Sequence, residues 1–187
     1  MKKRSVVLFT VMCFVFLSAL LVNCSSSPST RNIQMAGTGW VVSQNQSYHL
    51  IISFSDTTYT YTEYRLTSGN NRGAVESFSG NYSVSRQGVA LSGRGTINPV
   101  NDRFELNSRQ GDRLTFRRIT QEIASQYEQQ ARTAREERDR VEQQVRAMRE
   151  RGQISNYGQE TIRTADALRQ RAQEAEQLAQ AVRQLAR

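Results

Sequence analysis

The sequence predicts an α+β protein: a small antiparallel up-and-down β-barrel or curved meander of about seven strands, followed by a long, coiled-coil-like α-helical hairpin. Three observations predict it. From Gly37 to Arg118 apolar and polar residues alternate in short runs set off by Gly, Asn and Asp turns. From Ile119 to Arg187 the composition shifts to Gln, Ala, Arg and Glu, with helical periodicity and no proline. Ahead of both stands a basic and then apolar leader that ends at Cys24.

The strands follow from the period-two pattern. Trp40-Val41-Val42 opens the first. Leu50, Ile52 and Phe54 point one way and His49, Ile51 and Ser53 the other, which predicts a strand buried on one face. His49 is the single histidine and has no cysteine or carboxylate beside it in sequence, so it is expected at the surface. Asp56 and Thr57 turn the chain. Tyr59 and Tyr61 then share a face while Tyr64 and Leu66 take the opposite parity, which calls for either a bulge near Thr62-Glu63 or a strand buried on both sides. Phe78, Gly80, Tyr82 and Val84 alternate up to the turn at Arg86-Gln87-Gly88, and Val89 and Leu91 return. Phe104 and Leu106, the turn Arg109-Gln110-Gly111-Asp112, and Leu114 and Phe116 make the last hairpin.

The helical region is defined by spacing. Ala165, Leu168, Ala172, Ala175, Ala179 and Val182 recur at alternating steps of three and four, and Val141, Val145 and Met148 form a similar seam upstream. Between them Gly152 suits the position just past a helix end, and Ser155 or Asn156 suits an N-cap. The arms 119–151 and 156–187 would each be about 48 Å long at 1.5 Å per residue. A hairpin is expected over a single broken rod, because a short loop supplies the partner helix at no association cost. Leu178 and Leu185 lie beside the seam and want a third surface, either the β domain or another chain. The region 119–187 is therefore the expected element for a protein partner or for self-association.

The leader has its own signature. Lys2, Lys3 and Arg4 precede an apolar stretch from Val6 to Val22, then Leu21-Val22-Asn23-Cys24 and a Ser-rich run. This resembles a bacterial lipoprotein signal peptide over 1–23, with Asn23 a relaxation similar to spirochaete lipoboxes. The resemblance implies that Cys24 is acylated and becomes the first residue of the mature chain, that 24–36 is a tether, and that the protein is held to a membrane of the bacterial cell envelope. Ser25 after the cysteine, by the same analogy, points to the outer membrane. An uncleaved anchor is the alternative reading of the apolar run. Gly37-Thr38-Gly39-Trp40, Leu50 to Asp56, Ser79 to Val84 and Gly111 to Phe116 together resemble the small lipocalin-like β domains of envelope lipoproteins, here 37–118.

Charge and chemistry exclude other classes. The net charge of +8 loses the three leader cations on cleavage, and the helical arms mix Arg and Glu in alternating sign, as in Arg135-Glu136-Glu137-Arg138-Asp139-Arg140. That pattern suits a solvated face rather than a nucleic-acid surface. With both lysines in the leader, a phosphate-binding loop that needs Lys is not available. With Cys13 in the leader and Cys24 acylated, no disulfide is expected. No catalytic set, cofactor or metal site is expected. The expected role is a non-enzymatic, lipid-anchored structural or protein-interaction module. Two alternatives stand beside it: binding of a small amphipathic or lipid-like ligand in a pocket lined by Trp40, Tyr59, Tyr61 and Tyr82, and inhibition of an envelope hydrolase. The same aromatic set would equally make the packed core of a barrel too narrow to hold anything.

Overall fold

The protein is described by a computed structural model over residues 33–68, 73–107, 111–152 and 156–186. Cys24 and the leader lie outside the described residues, as does Ser155. Strands β1 (Gly39–Asn45), β2 (Tyr48–Phe54), β3 (Thr58–Arg65), β4 (Ala74–Ser85), β5 (Gly88–Leu91), β6 (Gly95–Ile97), β7 (Arg103–Asn107) and β8 (Arg113–Arg118) are followed by helices α1 (Gln121–Glu150) and α2 (Asn156–Leu185). The eight strands form one antiparallel sheet in the order β6-β5-β4-β3-β2-β1-β8-β7. It is an up-and-down meander in which β1 and β8 also pair, so the sheet curls into a barrel left open between β6 and β7.

The extra strand relative to the sequence expectation is β6. It is three residues long and buries Ile97 alone, too short for alternation to announce it. The opening next to it has a local cause. Val100 and Arg103 exchange backbone hydrogen bonds of 2.8 and 3.0 Å around Asn101 and Asp102, whose φ angles of 51° and 57° make a type I′ hairpin turn. Pro99 stands immediately before this turn and has no N–H to extend the ladder.

Register decides the question left open at Thr62-Glu63. β3 pairs with β4 from Thr58 to Arg65, and with β2 from Tyr59 to Arg65, without a shift. There is no bulge, and the strand is buried on both sides: Tyr59 and Tyr61 face the barrel interior, while Tyr64 joins Leu66 in a second cluster beneath the helices.

The interior is a packed aromatic core. Trp40 lies against Phe104 with ring centres 4.9 Å apart, and Phe104 stacks on Phe116 at 5.0 Å. The indole N–H of Trp40 donates to the Thr38 hydroxyl at 2.9 Å, and that hydroxyl donates to the Met35 carbonyl at 2.6 Å. Met35 is itself buried in this core, with Ile33 packed on it. The last residues of the expected tether therefore belong to the barrel, as their apolar side chains warrant.

The helices cover the outer face of β1 and β2. Val41, Ile51 and Leu66 pack with Ile119, Ala124, Tyr127 and Ala131 on one arm and Ala175, Leu178, Ala179 and Val182 on the other. The apolar strip that wanted a third surface thus meets the β domain. His49, expected at the surface, is 1% exposed; the run His49-Leu50-Ile51-Ile52 is buried on both faces because helices lie where solvent was expected. Glu174 of α2 adds a polar tie, accepting from both the backbone N–H and the hydroxyl of the buried Thr67.

Ion pairs fix the arms as antiparallel. Glu128, Arg135 and Glu142 of α1 meet Arg183, Glu176 and Arg169 of α2 at 3.4, 2.9 and 2.7 Å, one arm descending in number as the other ascends. Thr120 caps α1 by accepting from the Ile123 N–H, and Gly152, φ 68°, follows its end as the sequence suggested. The buried cluster shared with the sheet stops near Ala134 and Ala175. Farther out, Val145, Ala165 and Ala172 are buried in the seam between the arms.

Candidate functional site

Along the inner faces of four strands the chemistry changes at the same level. On β1 the inward series is Trp40, Val42, Gln44; on β2, Phe54, Ile52, Leu50, Tyr48; on β3, Tyr59, Tyr61, Glu63, Arg65; on β4, Tyr82, Gly80, Phe78, Glu76. Each series ends in polar or charged residues at one end of the barrel. The result is a closed, apolar end around Phe54, Tyr59 and Tyr82 and an open, charged mouth.

The mouth is a cavity of about 520 Å³ lined by Tyr48, Tyr61, Phe78, Glu63, Arg65, Glu76 and Arg94, with Gln44, Ser77 and Asp112 at its rim. Its wall is lowered on one side. β5 pairs with β4 only from Tyr82 to Ser85, so among the described residues Ala74 to Gly80 have a ladder partner in β3 alone. Glu63 and Glu76 stand directly opposite each other across the β3–β4 ladder. Arg65 bridges them, 3.1 Å from Glu63 and in close contact with Glu76, which relieves the repulsion of two facing carboxylates. The Tyr48 phenol is pushed up to about 12 by burial and by the neighbouring negative charge of Glu63, so it remains a neutral donor.

Arg94 is the most unusual group. It comes from the β5–β6 turn and lays its guanidinium 4.1 Å from the centre of the Tyr61 ring and 5.5 Å from that of Phe78. Among the described residues it forms no ion pair, in contrast to Arg65. Arg94 also lines a second opening of about 560 Å³ between β6 and β7, where Glu105 pairs with Arg113.

A second polar arrangement lies beneath the helices. His49 Nε2 sits 3.3 Å from the Gln46 carbonyl and Nδ1 sits 3.1 Å from the Tyr127 hydroxyl. A carbonyl only accepts, so Nε2 carries the proton and Nδ1 accepts from the phenol. Burial holds the imidazole below its ordinary value, offset in part by the Gln46 carbonyl, and burial pushes the Tyr127 phenol up to about 12. A groove of about 220 Å³ opens beside this pair, between Leu66, Tyr127, Ala134, Ala175 and Leu178.

Of the aromatic residues expected to line a pocket, Trp40, Tyr59 and Tyr61 are buried in the barrel core and Tyr82 packs on its edge. Two of their hydroxyls are already committed: Tyr59 donates to the Ser92 carbonyl at 2.6 Å, and Tyr82 to the Ser55 carbonyl at 2.8 Å. Tyr61 borders the mouth. In the expected seam, Val145, Ala165, Ala172, Ala175, Ala179 and Val182 are buried, and Val141, Met148 and Leu168 are half-buried. Sequence reasoning missed Arg94, Glu63 and Glu76, although the shift from Tyr59-x-Tyr61 to Glu63-x-Arg65 within one parity was the available signal.

Among the described residues no group of three or more His, Cys, Asp or Glu side chains is placed to hold a metal, and no helix is long and apolar enough to cross a membrane. Comparison with known protein families, with curated proteins and with solved structures finds no match.

Proposed function

We propose that this chain is a non-enzymatic envelope lipoprotein, anchored through acylated Cys24, whose lipocalin-like barrel serves as a rigid mount for a helical arm that engages a protein partner. The observation that carries this reading is the division of the hairpin. Its inner half shares a buried cluster with the sheet, whereas the outer half buries only its own seam of Val145, Ala165 and Ala172. A free-standing cover for β1 and β2 would need no more than the inner half. The anchor rests on the lipobox-like residues Leu21 to Cys24 and the basic leader.

The alternative of a lipid-like ligand in the barrel has less support. The space such a ligand would fill is taken by Trp40, Phe54, Tyr59, Phe104 and Phe116.

The test leaves the shared cluster intact. Replacing 138–173 with a short Gly-Ser loop joins the arms at positions that face each other in the hairpin and keeps Tyr127, Glu174 and Leu178. With photocrosslinkers on the outer arm of the lipidated chain, a discrete crosslinked partner is expected, and its complex should be lost in the shortened variant while the barrel melts as before. An outer arm that crosslinks to nothing, or a partner retained by the shortened chain, overturns the reading. Loss of acyl labelling in Cys24→Ser is the expected result for the anchor.

A further inference from the structure

We propose that the open edge of β4 pairs with the same edge of a second copy of this chain, antiparallel and centred on Ser77, joining two barrels into one continuous sheet. The pairing rests neither on the outer arm nor on the anchor.

A mismatch of lengths leaves the edge open. β4 runs for 12 residues and β5 for 4, and β5 pairs with β4 only from Tyr82 to Ser85. The ladder fixes where the remaining backbone groups point. Tyr82 N–H donates to the Thr57 carbonyl just before β3, and the Asn81 carbonyl accepts from Ser92 N–H on the other side. These directions alternate along an antiparallel strand, so Val75, Ser77 and Ser79 turn their N–H and C=O groups the same way as Asn81, to the open edge. Among the described residues these groups meet no backbone partner. The register with β3 is unbroken from Ala74 to Asn81, so no bulge twists the edge away, and Ala74 to Gly80 contains neither proline nor lysine to block it. Val75 is 52% exposed, the highest value among the large apolar side chains described, and Phe78 is 36% exposed.

The two ends of the open segment select the occupant. At one end Asn81 is taken by Ser92. At the other Gly73 N–H donates to the Thr67 hydroxyl at 2.9 Å, so the chain has turned off the edge. Asn81 and Gly73 lie equally far from Ser77 in sequence. A second copy related by a two-fold axis at Ser77 therefore matches every outward group. Val75 meets Ser79 of the second copy, Ser77 meets Ser77, and Ser79 meets Val75, each pair exchanging both of its hydrogen bonds. A foreign strand would find the same backbone groups, but the equal spacing of the two stops matters only to a copy.

Neighbouring registers are poorer. Centring the pair on Glu76 sets like charges directly opposite each other and aligns Ser79 with the diverted Gly73. Centring it on Phe78 aligns Val75 with Asn81, which is already bonded. At Ser77 the glutamate instead faces Phe78 of the second copy, and Arg65 keeps its contact with it. The opposed outer side chains are small, since each pair contains a serine. A ladder of this length is far smaller than the standard interface of about 1,600 Å², so the pairing is weak and reversible and is best read by trapping it.

The experiment uses the full chain with Cys13 and Cys24 replaced by Ser, which leaves no thiol, and adds single cysteines under mild oxidation. Ser77→Cys is expected to form disulfide dimers about tenfold faster than Ser79→Cys, because Cα atoms at 77 would lie about 5.5 Å apart and those at 79 about 14 Å. Mixing Val75→Cys chains with Ser79→Cys chains should give the mixed dimer. Adding Val75→Lys and Ser79→Lys to the Ser77→Cys chain sets lysine opposite lysine and should abolish its crosslink; Val75→Glu with Ser79→Glu should do the same. Mixing the two charged chains should restore the crosslink, which a misfolding defect would not allow. If a charged chain fails to fold, the mixed dimer of Val75→Cys and Ser79→Cys decides. Absence of a Ser77 crosslink, equal rates at Ser77 and Ser79, or no restoration on mixing folded charged chains overturns the proposal. A cysteine at 77 that crosslinks only to a different protein when cell extract is added assigns the edge to a foreign strand and overturns it as well.

Discussion

Lowering the pH should loosen the helices from the barrel, and the size of the effect can be worked from one residue. His49 is the single histidine of the chain, is buried between β2 and α1, and is held neutral below its ordinary value of 6.5 chiefly by burial. In the unfolded chain it titrates at that ordinary value. Above about pH 7.5 both states are neutral and His49 contributes no pH dependence. As the pH falls through about 6.5 the unfolded state takes up a proton that the folded state refuses, so stability falls, with a limiting slope of about 1.4 kcal/mol per pH unit for one proton. Between pH 7.5 and 5.5 the loss approaches about 1.4 kcal/mol if the folded group stays neutral throughout. The groups facing the imidazole do not titrate in this window: Tyr127 from α1 and Tyr64 across the β2–β3 ladder are both pushed upward by burial. The assay is urea unfolding of the parent and of His49→Leu at half-unit steps of pH. The parent curve should fall relative to the variant's as pH drops, since other titrating groups cancel in the difference. Parallel curves, or a parent that gains stability at low pH relative to the variant, would refute the reasoning.

Two further substitutions probe the helix–sheet interface, each by chemical unfolding. Leu178 is 1% exposed at the centre of the shared cluster, so Leu178→Ala should cost about 2–5 kcal/mol; a loss below about 0.5 kcal/mol would place this side chain at a surface instead. A Cβ added at Gly39 would stand 2.6 Å from Leu185 Cβ, so Gly39→Ala should force the end of α2 away from β1 and cost about 1–3 kcal/mol, with amide exchange quickened first around Ala181 to Leu185.

Much of the fold was legible because its signals are local. Alternation marked seven of the eight strands, and the spacing of Ala165, Ala172 and Ala179 marked the seam, because each depends only on the period of its own element. What failed to show depends on contacts between elements. His49 looked like a surface residue since its strand neighbours Ile51 and Ser53 gave no sign that helices would cover Ile51 and His49. Leu178 and Leu185 announced that some surface was needed and could not say which. The mouth was hidden for a related reason. Arg94 is isolated in sequence between two glycines, and its meeting with Tyr61 and Phe78 depends on β5 stopping at Leu91.

The contacts also order the ends of the molecule. At the closed end of the barrel Gly37 N–H donates to the Phe54 carbonyl at 2.8 Å, and Leu185 at the end of α2 lies over Gly39. Moving along β1 and β2 toward the mouth, the helices meet the sheet through Tyr127 at His49 and then through Glu174 at Thr67, before the shared cluster ends. The chain therefore enters at the closed end, and the outer half of the hairpin leaves at the level of the mouth. This ordering also explains why removing 119–187 as a whole would be a poor test of the arm: it would strip Val41, His49 and Ile51 of their cover. Shortening the arm from its tip separates the two, because the seam beyond Ala134 and Ala175 contributes nothing to the buried face of the sheet.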